Sequence, residues 1–194
     1  MVSIIAGFGT VQIAANGVAN SLDSMGCIVG QAMNLAMITV IGRCVGAGDS
    51  GQVRHYTKKL LKITYVCTFV VNSIILLCLP WILKCYGLSP ETTQLSYILV
   101  MIHNGMAMFL WPASFVLPNM LRACNDVRFT MVLSIFSMFM FRIGFSYIIG
   151  VNMGYGAIGV WIAMVLDWIF RVICFVSRYL SGHWLKTAEL KDNR

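Results

Sequence analysis

Charge is what this sequence has least of. Of 194 residues, 11% are charged and 59% are hydrophobic, whereas about a quarter of a soluble domain is charged. So few polar groups cannot cover a water-facing surface, and lipid must be part of the solvent. At about 20 apolar residues per crossing, the length allows roughly five spans. Acids are the scarcest charge, seven against 14 Lys and Arg, which leaves a net charge of +7. The basic residues flank apolar runs instead of forming a patch with interleaved aromatics, so they read as topology signals and argue against a nucleic-acid partner. Catalytic signatures are missing too: there is no Walker A loop, no GxSxG, no HExxH and no acid cluster with metal spacing. The chain is therefore not expected to be an enzyme or to carry a cofactor. None of the seven cysteines forms a CxxC pair; each lies in or beside an apolar run and reads as a small buried hydrophobe. No basic segment precedes the first apolar run, so no cleavable signal peptide is visible.

The apolar runs are the substance of the chain. Spans are expected over about 12–45, 61–83, 95–121, 130–149 and 157–180, with a polar, frayed tail over 181–194. Gly46-Ala47-Gly48-Asp49 closes the first span and leaves Asp49 or Ser50 to cap the next helix. Arg54, His55, Lys58, Lys59 and Lys62 read as a short amphipathic lead-in along the membrane surface. Ser89-Pro90-Glu91 is a helix start, and Pro112 and Pro118 should bend the third span.

Basic loops mark the cytoplasmic side. The loops holding Arg54 to Lys62 and Arg122 to Arg128 fall inside, and so does the C-terminal tail with Arg178, Lys186, Lys191 and Arg194. The balanced Lys84–Glu91 loop and the uncharged 150–156 turn fall outside. This alternation puts the N-terminus outside, directly on Met1-Val2-Ser3-Ile4-Ile5 with no export signal, so a helix upstream is expected.

The first span carries the most informative pattern. Gln12, Asn16, Asn20, Asp23, Cys27, Gln31 and Asn34 recur at steps of three and four and fall within an arc of roughly 100° on a helix. Amides and a carboxylate in lipid cost kcal/mol each unless they are solvated or paired. The stripe must therefore face either a water-filled pathway or a neighbouring helix, where it would act as glue. Asp23, its sole acid, is either a cation or proton site or a neutral or paired carboxylate. Arg142 and Asp167 fall at similar depth on adjacent antiparallel spans and are expected to form an ion pair, with Arg171 one turn on. His103 reads as a packing histidine more readily than as a proton relay. Gly26-x-x-x-Gly30 and Gly42-x-x-x-Gly46 permit close helix approach.

Three segments in order carry a resemblance: Gly9-Thr10-Val11-Gln12-Ile13-Ala14-Ala15-Asn16, then Thr39 to Asp49 with Gly42-Arg43-Cys44-Val45-Gly46-Ala47-Gly48-Asp49, then Leu121-Arg122-Ala123-Cys124-Asn125-Asp126. Together they resemble the multidrug and toxic compound extrusion (MATE) family, with Arg43 where glutamine is usual. The resemblance implies an all-α integral membrane bundle of about five transmembrane helices, with residues 1–180 forming part of a six-helix lobe. The tail suggests the C-terminal lobe lacking its first helix. The resemblance also implies a multi-pass protein of a bacterial plasma membrane that exports small cationic lipophilic compounds in exchange for sodium ions or protons. Its partner would be the N-terminal lobe of the same chain. Some members carry an acid about ten residues before the "LR" segment; here that position is Trp111, which leaves the coupling ion open. A flippase for lipid-linked or polysaccharide substrates, with an Arg/Lys-rich cavity, is one rival. A non-transporting scaffold subunit, with a dry stripe, is another.

Overall fold

The computed structural model describes residue 5 and residues 7–190. The expected start at Met1-Val2-Ser3-Ile4 and the tail cations Lys191 and Arg194 lie outside the described residues. Five helices are long and apolar enough to cross a bilayer: α1 (Thr10–Gly46), α2 (Ser50–Cys85), α3 (Pro90–Ala123), α4 (Val127–Asn152) and α5 (Gly156–Leu180). A short α6 (His183–Thr187) comes after them, and no strand occurs among the described residues. The expected all-α bundle of about five spans is the fold observed.

The helix ends obey local chemistry. Gly48 takes a left-handed φ of 72°, which closes α1 and places Asp49 before α2, where its carboxylate accepts from Gln52 N at 2.9 Å. Ser89 caps α3 by accepting from Thr92 N at 3.3 Å, with Pro90 in the first turn, where its missing N–H costs nothing. The expected surface lead-in at Arg54–Lys62 is not separate from the span. Nothing between Asp49 and Cys85 except Pro80 interrupts hydrogen bonding, so α2 is one 36-residue helix. At 1.5 Å per residue it is about 54 Å long, which exceeds a hydrocarbon core of about 30 Å. The basic end therefore projects beyond the lipid.

Pro112 widens α3 into a π turn over Pro112–Val116, the response expected where a helix loses a donor. Side chains around the turn bond to carbonyls: Asn119 Nδ2 donates to Phe115 O at 3.0 Å, and Ser114 Oγ donates across to Trp168 O on α5 at 2.9 Å. The wider turn also holds for most of α4, over Met138–Asn152.

Helix α3 is the most enclosed span and α4 the least. α1 packs on α2 and α3, and α5 packs on α3 and α4. Gly26 and Gly30 do serve close approach. A Cβ at Gly26 would meet Asn72 Oδ1 at 2.5 Å, and Gly30 gives way to the Trp111 ring, whereas Gly42 and Gly46 face open space. α4 and α5 touch backbone to backbone, since a Cβ at Gly159 would lie 2.8 Å from Gly150 N. The outward surface is apolar, including Ile28, Leu35, Leu77, Trp81, Phe109 and Phe139, as a lipid-facing surface requires.

Two features near the loops depart from the expected frayed tail and simple turns. α6 is docked: Trp184 is 1% exposed, stacks with Tyr179 and lies beneath the Arg54 guanidinium, because its indole has more to gain from burial than the tail loses in freedom. In the α3–α4 turn, Arg178 of α5 grips Asp126 with two bonds, at 2.7 and 3.1 Å, and covers the Phe129 ring. Burial pushes the neighbouring Cys124 thiol up to about 12, and the Asp126 carboxylate adds to the shift. All seven cysteines are free, and Cys85 is exposed at the end of α2.

Gly159→Ala should therefore destabilise the protein by about 1–3 kcal/mol through overpacking, while Gly42→Ala should be neutral or stabilise it slightly; thermal unfolding in detergent compares the two. At neutral to mildly alkaline pH, iodoacetamide should modify Cys85 and leave Cys124 untouched, which mass spectrometry of the intact protein will show.

Candidate transport site

The α1 stripe is where sequence and tertiary structure meet. Its members hydrogen-bond to two different helices. Gln12 Oε1 accepts from Ala157 N at 2.6 Å, and Asn16 Oδ1 accepts from Trp161 Nε1 at 3.0 Å, so the upper part of the stripe binds α5. Asn34 Oδ1 accepts from Asn119 Nδ2 at 2.9 Å, so the lower part binds α3; Asn119 is held in turn by Arg122 Nη1. Asn20 and Gln31 are exposed. One face thus supplies both inter-helix bonds and free polar groups.

At mid-stripe, Asp23 Oδ1 lies 2.9 Å from His103 Nδ1 of α3 and accepts from Cys27 Sγ at 3.2 Å. His103, expected as a packing residue on its own, is instead the partner of the acid. Its ring is only 2% exposed and meets Trp161 and Trp168 edge-on, with centroids 5.1 and 4.7 Å away. Asn104 and Asn72 extend this polar layer: Asn104 Oδ1 is 3.2 Å from His103 Nδ1, and Asn72 donates to Thr68 O at 2.8 Å. These two lone amides in apolar runs were the available signal, and periodicity alone missed them.

The expected Arg142–Asp167 pair is not a direct contact, although the Asp167 charge still acts on Arg142. Asp167 Oδ1 pairs with Arg171 Nε at 3.1 Å, one turn along the same helix, a partner that needs no registry between helices. Arg171 also donates to Ser134 O of α4 at 3.2 Å and covers the Phe115 ring of α3. It therefore joins three helices. Arg142 Nη2 points to Met164 Sδ at 3.2 Å and borders a cavity of about 210 Å³. Among the described residues, Asn16, Asn20, Trp161 and Met164 line that cavity with it.

With this geometry in place, comparison with known proteins gives the family. The MatE family model matches residues 1–148. The chain belongs to the MatE family. A Thermotoga maritima protein described as a probable multidrug resistance protein NorM is 23% identical over 186 residues, covering 96% of this chain and 40% of that protein. A NorM of the same description from Agrobacterium fabrum is 23% identical over 196 residues, covering 96% and 42%. The uncharacterized transporter YisQ of Bacillus subtilis is 27% identical over 101 residues, covering 50% and 21%. The chain thus spans about two fifths of the length of the two NorM proteins. No solved structure matches it significantly. Family and apolar helices together make this a multi-pass membrane protein.

Asp167→Asn would leave the Arg171 cation buried without its counter-charge and should cost about 3 kcal/mol or more. A larger drop in the unfolding temperature for Asp167→Asn than for Arg142→Gln would check that Arg171 is its direct partner.

Proposed function

We propose that this chain is part of a secondary antiporter that exports small cationic lipophilic compounds in exchange for sodium ions or protons by alternating access. The support is family membership together with the cavity beside α1, where Asn16, Asn20 and the Trp161 ring line the wall. Amide oxygens and an indole face suit flat organic cations. In this reading a second lobe completes the pathway, the membrane is the bacterial plasma membrane, and the C-terminus is cytoplasmic. The α1 stripe of Gln12, Asn16, Asn20, Asp23, Gln31 and Asn34 borders the pathway. The π turn after Pro112, with Pro118 beyond it, gives α3 a place to bend as the lobes rock.

One observation favours a second reading. The charged residue in the cavity wall, among the described residues, is Arg142, and a guanidinium suits an anionic headgroup. A flippase for lipid-linked or polysaccharide substrates would use it so.

The intact native protein in proteoliposomes separates these readings. Under an imposed sodium or proton gradient we expect ethidium to be extruded, and Asn20→Leu to slow extrusion roughly tenfold, the equivalent of one lost hydrogen bond. On a background without native cysteines, Asn20→Cys should react with a water-soluble thiol reagent. Movement of phosphate-headgroup lipid without ethidium export would favour the flippase. Neither movement, with Asn20→Cys unreactive, would leave a scaffold.

A further inference from the structure

We propose that Asp23 and His103 form a single proton-carrying unit, and that it couples substrate to protons rather than sodium. This rests on the antiporter reading above. Three observations support it.

The first is the assignment of protons. His103 Nδ1 has two oxygens within reach, Asp23 Oδ1 at 2.9 Å and Asn104 Oδ1 at 3.2 Å. A nitrogen facing two acceptors carries the hydrogen. The neutral ring is therefore the Nδ1–H form, and Nε2 is the atom that gains or loses a proton. Imidazole is the side chain whose ordinary charge change falls between pH 5 and 8.

The second is access combined with enclosure. Asp23 lies about one turn along α1 from Asn20, which lines the cavity, and its side chain keeps 25% exposure while that of His103 keeps 2%. The carboxylate is thus the more accessible member of the pair, and the imidazole the enclosed one. Trp161 belongs to both places, since it borders the cavity and packs on the His103 ring.

The third is that the polar layer around the pair holds donors with unused hydrogen-bonding capacity. Asn104 Nδ2 and Trp168 Nε1 are buried donors without a protein acceptor among the described residues, and both residues touch His103. The other ionisable groups facing the pair are Cys27 from α1 and Arg142 from α4, whose charge acts on Asp23. α5 brings the Asp167–Arg171 pair one residue and one turn from Trp168. α2 contributes the amide of Asn72.

The step balances simply. In the loaded state His103 is an imidazolium paired with the Asp23 carboxylate. When an organic cation reaches Asp23, it replaces the imidazolium as counter-charge. The Nε2–H bond breaks, its electron pair stays on nitrogen, and one proton leaves to water. Deprotonation of the pair and cation binding are thus mutually dependent.

The test uses the intact native protein in weakly buffered detergent at about pH 5.5, where an ordinary imidazole is mostly protonated, with ethidium as substrate and a pH electrode reporting protons. We expect about one proton released per ethidium bound, as one imidazole site allows, and ethidium export driven by a pH gradient without sodium. In Asp23→Asn and His103→Gln, release and pH-driven export should disappear. Ethidium binding should survive in His103→Gln, which also shows that the variant is folded, and Asp23→Glu should restore release. Undiminished release in either variant would overturn the proposal alone and leave the antiporter reading standing. Export driven by sodium with no proton release in the native protein would also overturn it. Failure of the native protein to export ethidium under any gradient would remove both.

Discussion

The polar face of α1 cannot be left to lipid, and the rest of the bundle is arranged around that constraint. A polar atom stranded in hydrocarbon costs several kcal/mol. The stripe therefore dictates which helices lie beside α1 and at what height. Gln12 and Asn16 fix α5 through Ala157 and Trp161; Asp23 and Asn34 fix α3 through His103 and Asn119. Because both neighbours are fixed from one face, α3 and α5 are also brought together, and Ser114 closes that contact by bonding Trp168 O. Small residues then set the distances. Gly26 and Gly30 admit Asn72 and the Trp111 ring, and Gly150 against Gly159 brings α4 onto α5.

The same constraint separates structural charge from charge available for work. Arg171 is held by Asp167, by Ser134 O and by the Phe115 ring, on three helices. Arg178 is held by Asp126 and covers Phe129. A cation bound from so many sides stabilises one arrangement and resists leaving it. The layer around His103 is different. Its members come from four helices, α1, α2, α3 and α5, but it retains buried donors without protein acceptors among the described residues, and its acid is partly exposed. Incomplete satisfaction in a low-dielectric setting is a poor way to hold a fold together, and it is suited to a site that changes state.

Helix α3 has a local irregularity between its two attachments to α1: its π turn at Pro112–Val116 sits between the His103 layer and the Asn34–Asn119 bond. Movement at the turn would change the spacing between those two attachments to α1. The long basic end of α2 and the docked α6 lie together, joined by Arg54 over Trp184, and brace one end of the bundle.

Much was legible in the residue order. Five apolar runs, the helix starts at Asp49 and Ser89, and the periodic stripe on α1 come from local rules of length, capping and the 3.6-residue turn, which act within one segment. Partners were not legible in the same way. Asp23 and His103 are 80 positions apart, and neither periodicity nor composition pairs them; only the packing of α1 against α3 brings them to 2.9 Å. Equal depth pointed from Arg142 to Asp167, yet Arg171 is on the same helix one turn away and takes the carboxylate. Trp184 sits in a segment that reads as polar tail, and only the shelf formed by Arg54 and Tyr179 gives its ring a place to bury. The sequence by itself determined that the chain lies in lipid and which face of α1 cannot be left there. Tertiary structure decided which polar group meets which, because that depends on rotations and distances between helices that no single segment encodes.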